Sequence, residues 1–264
     1  MSGASTGRGT ATTVRLAFDG DWRATVTDSP LHISPRFTGS ASVDVARYVD
    51  AAERVRFLAD TFGSQEWLWD APDVLRFDKT GRELVGAEFH WPEESASAEE
   101  VARLPLTPAV RAGGLRADEV RDFRHERCTV LCRAPGDTVL TCLRDLGVLD
   151  EPLDARIGIA PDVALLVQRG AVVGWSLTDP ARHLTTTYAD PDPDPPSPTT
   201  HRLFTECLDL ITTPVVDDLV DGEPAALARL QAADKALREQ REDRHRADAL
   251  LELIATYVED YGKW

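Results

Sequence analysis

Glu88 and His90 stand two apart in the stretch AEFHWP. On a strand that spacing puts both on one face, about 7 Å apart at roughly 3.3 Å per residue, near enough for a carboxylate to orient an imidazole as general base. His32 and Arg36 occur in SPLHISPRF, an irregular segment between two prolines where binding groups commonly sit. If the protein is an enzyme, Glu88, His90 and His32 are the acid–base candidates. Trp91, Trp175 and Arg36 are the candidate ligand contacts, the tryptophans as walls of an aromatic pocket.

Other combinations fall away on spacing. His125, Cys128 and Cys132 lie in a strand-like stretch, where alternate residues spread rather than converge, and no second Cys/His pair has finger spacing. Asp190, Asp192 and Asp194 open like a calcium loop, but Pro195 replaces the turn glycine and His201 stands where a bidentate Glu belongs. GRGTAT has no strand before it and no helix pattern after it, and there is no Walker A, HExxH or GxSxG sequence. No metal and no cofactor is therefore expected. The four cysteines read as reduced, buried thiols.

The net charge of -16 disfavours nucleic acid, whose phosphates need clustered Lys and Arg. From Asp145 to Glu223 the chain holds 15 carboxylates against 4 Arg, so a basic protein or cationic small molecule is the partner this field attracts. The opening MSGASTGRGTATT has no apolar run, and nothing later resembles a membrane span, which points to a cytoplasmic protein without a membrane partner. Nothing in the sequence bears on oligomeric state.

The elements that must position these residues begin with TVRLAFDGDWRATVT. A two-residue loop would set the apolar residues on opposite faces. A three-residue loop, Asp19 to Asp21, pairs Phe18 with Trp22, Leu16 with Ala24 and Val14 with Val26 on one face. SPLHISPRFTGS reads as an extended connection. VDVARYVDAAERVRFLADTFG then sets Val45, Tyr48, Val49, Ala52, Val55, Ala59 and Phe62 at helical spacing, with Gly63 as the stop.

APDVLRFDKTGRELVGAEFHWP, residues 71 to 92, reads as a hairpin with Val85, Ala87, Phe89 and Trp91 inward. It is echoed by APDVALLVQRGAVVGWSLTDP, residues 160 to 180, which places Val173, Trp175 and Leu177 inward. Between them, Ser97 and Glu100 make a capping box before a helix that Pro105 ends, RCTVLCR is a strand, and APGDTVLTCLRDLG is a short helix capped by Asp137. A helix before each hairpin would make a duplicated α-β-β unit; the reading favoured over it is a chance resemblance of two Gly-containing hairpins, since turn chemistry and alternation recur in unrelated sheets. The six tryptophans include Trp67 and Trp69 beside the first hairpin.

ADPDPDPPSPTT, residues 189 to 200, reads as a Pro-rich surface loop. Ser197 and Pro198 start a helix with Leu203, Phe204, Cys207, Leu208 and Ile211 inward. DGEPAALARLQAADKAL is helical and so is ALLELIATYVEDY, with Ala247, Leu250, Leu251, Ile254, Tyr257, Val258 and Tyr261 inward. The charged stretch from Arg238 to Arg246 is either a solvent-spanning helix or the corner of a helical hairpin.

The expected fold is α+β: an antiparallel sheet built from hairpins with helices on one face and a helical C-terminal part. The divisions are a disordered start at 1–12, an α+β half at 13–115, a second at 116–188, the loop at 189–200 and the helical part at 201–264, with 13–264 as one composite domain the alternative. Two functions fit. One is a non-catalytic acidic binding protein of regulatory, adaptor or toxin-neutralising kind. The other is a cofactor-independent small-molecule enzyme, in specialised metabolism, using His/carboxylate acid–base chemistry in a Trp-lined pocket.

Overall fold

The computed structural model describes residues 14–18, 21–64 and 73–262. The Asp19–Gly20 tip of the first loop, Trp67 and Trp69 lie outside the described residues.

Strands β1 (Arg15–Ala17) and β2 (Arg23–Thr27) form the first hairpin. Leu16 faces Ala24, Phe18 N donates to Trp22 O and Val26 N to Val14 O, the register of the three-residue connection. A one-residue slip would have turned Leu16 or Ala24 to water, and both are fully buried.

SPLHISPRFTGS is not wholly a connection, because it contains β3 (Arg36–Thr38), which pairs with β4 (Ser42–Val45). The helix expected from Val43 to Phe62 is confined to α1 (Ala51–Asp60), started by Asp50, whose side chain accepts from Glu53 N. Two periods overlap in this stretch. Val43 and Val45 alternate with Ser42 and Asp44 and bury as a strand, while Val49 and Val55, placed inward by helical spacing, are 67% exposed. The pairing of β4 with β7 (Leu84–His90) decides for the strand. The helix ends at Asp60 rather than at Gly63, which lies in β5 (Thr61–Gly63); β5 pairs with β6 (Val74–Asp78), and these strands make a five-stranded sheet ordered β3-β4-β7-β6-β5.

The larger sheet takes β1 and β2 together with β8 (Glu94–Ser95), β9 (Val110–Ala112), β10 (Gly114–Ala117), β11 (Val130–Arg133), β12 (Val139–Leu143), β13 (Ala155–Ala160), β14 (Val163–Gln168) and β15 (Ala171–Thr178). Its neighbours close a circuit: β9 pairs with β13, β13 with β14, β14 with β15, β15 with β1, β1 with β2, and β2 with β10. Between β9 and β10, Gly113 N donates to Gly158 O, and a side chain on Gly113 would meet Thr27 O at 2.9 Å. Glycine lets one bent strand join both flanks, which removes the exposed edge there.

APGDTVLTCLRDLG is not a helix: a 3-10 turn at Pro135–Asp137 leads into β12, whose alternate residues serve two cores. With no helix before the second hairpin, an α-β-β duplication loses its second copy. The hairpins share something smaller. Arg76 faces Gly86 and Phe77 faces Leu84, leaving Val85 as an extra residue; Leu166 faces Gly174 and Val167 faces Val172, leaving Val173 extra. Both are β-bulges at the Val of Val-Gly. The bulge sends Val85 off the inward face and brings Leu84 in. Pairing matches Arg76 to Leu166, one residue off the APDV alignment, so that part of the echo is not structurally equivalent.

Helix α2 (Ala98–Ala102) carries the Ser97–Glu100 capping box. The C-terminal part comprises α3 (Pro198–Leu210), α4 (Val215–Val220), α5 (Pro224–Glu239) and α6 (Arg244–Tyr261). Ser197 caps α3, and Leu203, Phe204, Cys207, Leu208 and Ile211 are buried as their spacing requires. The charged stretch is the corner of a helical hairpin, since α5 ends at Glu239 and α6 begins at Arg244. Arg246, 1% exposed, pairs with Asp243 at 3.0 Å and donates to the carbonyls of Asp192 and Asp194, pinning the Pro-rich loop to that corner. One hydrophobic cluster runs from Leu16 through Phe89, Trp175 and Phe204 to Ile254. A second, with Cys132, Leu143, Val148, Leu153, Leu166 and Val173, covers the other face of the large sheet. No described helix is long and apolar enough to cross a membrane.

Candidate functional site

The five-stranded sheet has one face in the core and one that carries polar side chains. Phe37, Val43, Ala87 and Phe89 point inward, so alternation turns Arg36, Thr38, Ser42, Asp44, Glu88 and His90 to the other face. Cross-strand register does the rest. Asp44 is paired with Arg36 on one side and Glu88 on the other, and Ser42 with His90.

Around this face stand Tyr48 and Arg54 from the α1 region, Thr187 and Tyr188 from the segment after β15, and Glu252 of α6. Together with Thr38, Ser40, Ser42, Asp44 and Glu88 they line a cleft of about 280 Å³. α1 can lie close because Gly86 has no side chain: a Cβ there would come within 2.7 Å of Phe57 Cζ. α6 approaches at Gly39, where a Cβ would overlap the Cβ of Glu252.

Arg36 is the buried cation under the cleft. Its Nη2 lies 2.5 Å from Asp44 Oδ2, its Nη1 donates to the carbonyls of Tyr48 and Tyr188, and its guanidinium stacks 4.9 Å from the Tyr48 ring centroid. Asp44 is 6% exposed, and its Oδ1 lacks a hydrogen-bond partner among the described residues. Burial drives the Asp44 carboxyl up to about 6, against the opposing pull of the Arg36 charge and the Tyr48 hydroxyl. That hydroxyl acts on the carboxyl from nearby without completing a hydrogen bond to Oδ1. Arg54 pairs with Glu88 at 3.0 Å, and Glu88 stands 3.9 Å from His90 Nε2. Burial, and after it the charge of Asp248 one turn earlier on α6, raises the Glu252 carboxyl. Thr38, Ser40 and Ser42 form a hydroxyl cluster with contacts of 2.7 to 3.2 Å.

Glu88 and His90 are thus brought together, with Arg36 beneath them, although His90 does not itself line the cleft. His32 is exposed and is not part of it. Trp91 and Trp175 do not form an aromatic pocket wall. They are 6% and 1% exposed, 5.2 Å apart in the core, with Phe89 stacked on Trp175. Residue 91 has the parity of Phe89, so the strand that exposes His90 must bury Trp91. No family model matches the chain, nor does any curated protein or solved structure.

Asp44, Tyr48, Arg54, Tyr188 and Glu252 were not legible as site residues. For Asp44 the Ser-Val-Asp-Val alternation signals a strand with the carboxyl on the face of Ser42, but not its partner Glu88. The others depend on long-range packing.

A second buried carboxyl lies outside the cleft lining. Asp73, 1% exposed, accepts from His90 N at 3.0 Å and from the Cys128 thiol at 3.5 Å. Burial raises it to about 7, opposed by these donors, the Arg127 charge and the Trp175 indole. That indole N–H acts on the carboxyl without completing a hydrogen bond. Burial also pushes the Cys128 thiol well above its usual range, so the thiol stays protonated and is a poor nucleophile. All four cysteines are free and buried.

Proposed function

We propose that the protein is a non-catalytic binding module that holds a cationic group in the cleft on the five-stranded sheet. The group would be an ammonium or guanidinium carried by a small ligand or by a basic partner protein. The observation that carries this reading is Asp44: a buried carboxyl with an unpartnered oxygen, in a cleft that Glu88 and Glu252 also line. A buried acceptor without a donor is costly, and a ligand N–H would relieve that cost; Glu88 is already paired with the cleft-lining Arg54, so Glu252 is the further carboxylate that favours positive charge. The net charge of -16 supports a cationic partner and opposes a phosphate backbone.

The test is calorimetric titration with butylguanidinium and butylammonium, using butyramide as the neutral control, at low and high salt. The cations should bind and the amide should not. Glu252→Gln should weaken cation binding by about tenfold, the scale of one charged hydrogen bond. Equal binding of cation and amide, or no binding of either, would sink the proposal.

The enzymatic alternative rests on the same groups. An Asp44 carboxyl at about 6 would be an acid–base group near neutral pH, and Glu88 beside His90 sets a carboxylate next to an imidazole. Its mark would be product formation lost in Asp44→Asn; cation binding without conversion leaves the binding reading.

A further inference from the structure

The second hydrophobic cluster forms part of the wall of a pocket of about 180 Å³, which the exposed Leu106 also borders. Its walls are mostly apolar: Leu104, Leu106, Leu143, Val148, Leu153 and Leu166, drawn from four separate parts of the chain. Arg156 of β13 also lines it.

That arginine, like Arg82, is half-buried and donates to a backbone carbonyl rather than to a carboxylate, but only Arg156 of the two lines an apolar pocket. Arg133, Arg229 and Arg246 are also partly or wholly withdrawn from water, and each has a carboxylate within 3.0 Å. Arg156 has none among the described residues. Its Nη1 donates to the Leu106 carbonyl at 3.2 Å, and its buried Nε has no partner. Burial alone acts on the guanidinium, and in the direction that lowers it. A cation held against an apolar wall without a counter-charge is a site short of an anion, and a guanidinium matches a carboxylate bidentately.

We propose that this pocket binds a small monocarboxylate with an apolar tail of about six to eight carbons, an apolar cavity of about 150 Å³ being able to hold a benzene molecule. The carboxylate sits on Arg156, and the tail lies against Leu143, Val148, Leu153 and Leu166. The ligand is opposite in charge to that of the cleft, and the two sites stand or fall separately.

Titrating the full chain with octanoate and with 1-octanol tests this. Octanoate should bind with a Kd below about 1 mM, and octanol at least about tenfold more weakly. Arg156→Gln should cut octanoate affinity about tenfold and leave octanol unchanged, while Arg156→Lys retains part of the octanoate binding. No octanoate binding, octanol binding as tightly as octanoate, or octanoate binding indifferent to Arg156→Gln would each overturn the proposal. Should Arg156→Gln fail to fold by circular dichroism, the wild-type comparison of octanoate with octanol still decides.

Discussion

At the scale of single residues, two buried carboxyls make the protein's stability depend on pH in an unusual direction. Asp73 moves from 3.8 to about 7 in the folded state, so the native protein keeps a proton that the unfolded chain has released. Stability should fall as pH climbs from about 4 to about 7 and level off above that window. Asp73→Asn cannot ionise, and relative to wild type it should gain roughly 2–3 kcal/mol between pH 5 and pH 8. Urea unfolding at both pH values measures this, and an unchanged difference would mean that Asp73 does not carry the penalty. Asp44 contributes in the same direction over a narrower window, up to about 6. Neither carboxyl was legible as special. An Asp in APDV reads as turn chemistry until β7 and Cys128 are known to close over it.

At the scale of elements, the sequence was most informative where one period held without competition. The β1–β2 register followed from a single apolar face, and α3 from its cap and spacing. Residues 43–62 carry two periods at once, and nothing local says that Asp44 will find Glu88 across a pair of strands 44 residues apart in number. The hairpin echo misled in its APDV portion and informed in its Val-Gly portion, because a bulge and a close approach constrain that dipeptide. The two glycines should differ in tolerance. A Cβ on Gly174 would overlap the Cys142 carbonyl oxygen, a backbone atom held in the ladder, whereas on Gly86 the nearest atom is the end of the Phe57 ring at 2.7 Å. Gly174→Ala should therefore cost on the order of 3 kcal/mol, and Gly86→Ala on the order of 1. Thermal melts that rank them the other way would contradict this account of the bulges.

At the scale of the whole molecule, the α+β architecture was foreseeable and the cleft was not, because its walls come from β3, β4, the α1 region, β7, the segment after β15, and α6. The cluster that joins Leu16 to Ile254 implies that the C-terminal helices are part of the fold rather than an appendage. A chain ending at Gly222 should fail to give a dispersed amide NMR spectrum, since it loses Leu230, Leu237, Leu250 and Ile254 from the core and Glu252 from the cleft. A dispersed spectrum would show that the sheets stand alone. The acidic surface is also less uniform than the sequence suggests. Glu206 and Asp209 are tied to Arg133 and Arg229, whereas Asp217, Asp218, Asp221 and Glu223 are exposed on and after α4. The central claim is that a cation binds against the Asp44 carboxylate, and carbon-detected NMR titration of that carboxyl in the intact chain tests it most directly. Free protein should titrate at about 6, and saturating butylguanidinium should lower that midpoint by about one pH unit or more, because the bound cation favours the ionised form. A midpoint that is the same with and without the cation would contradict it.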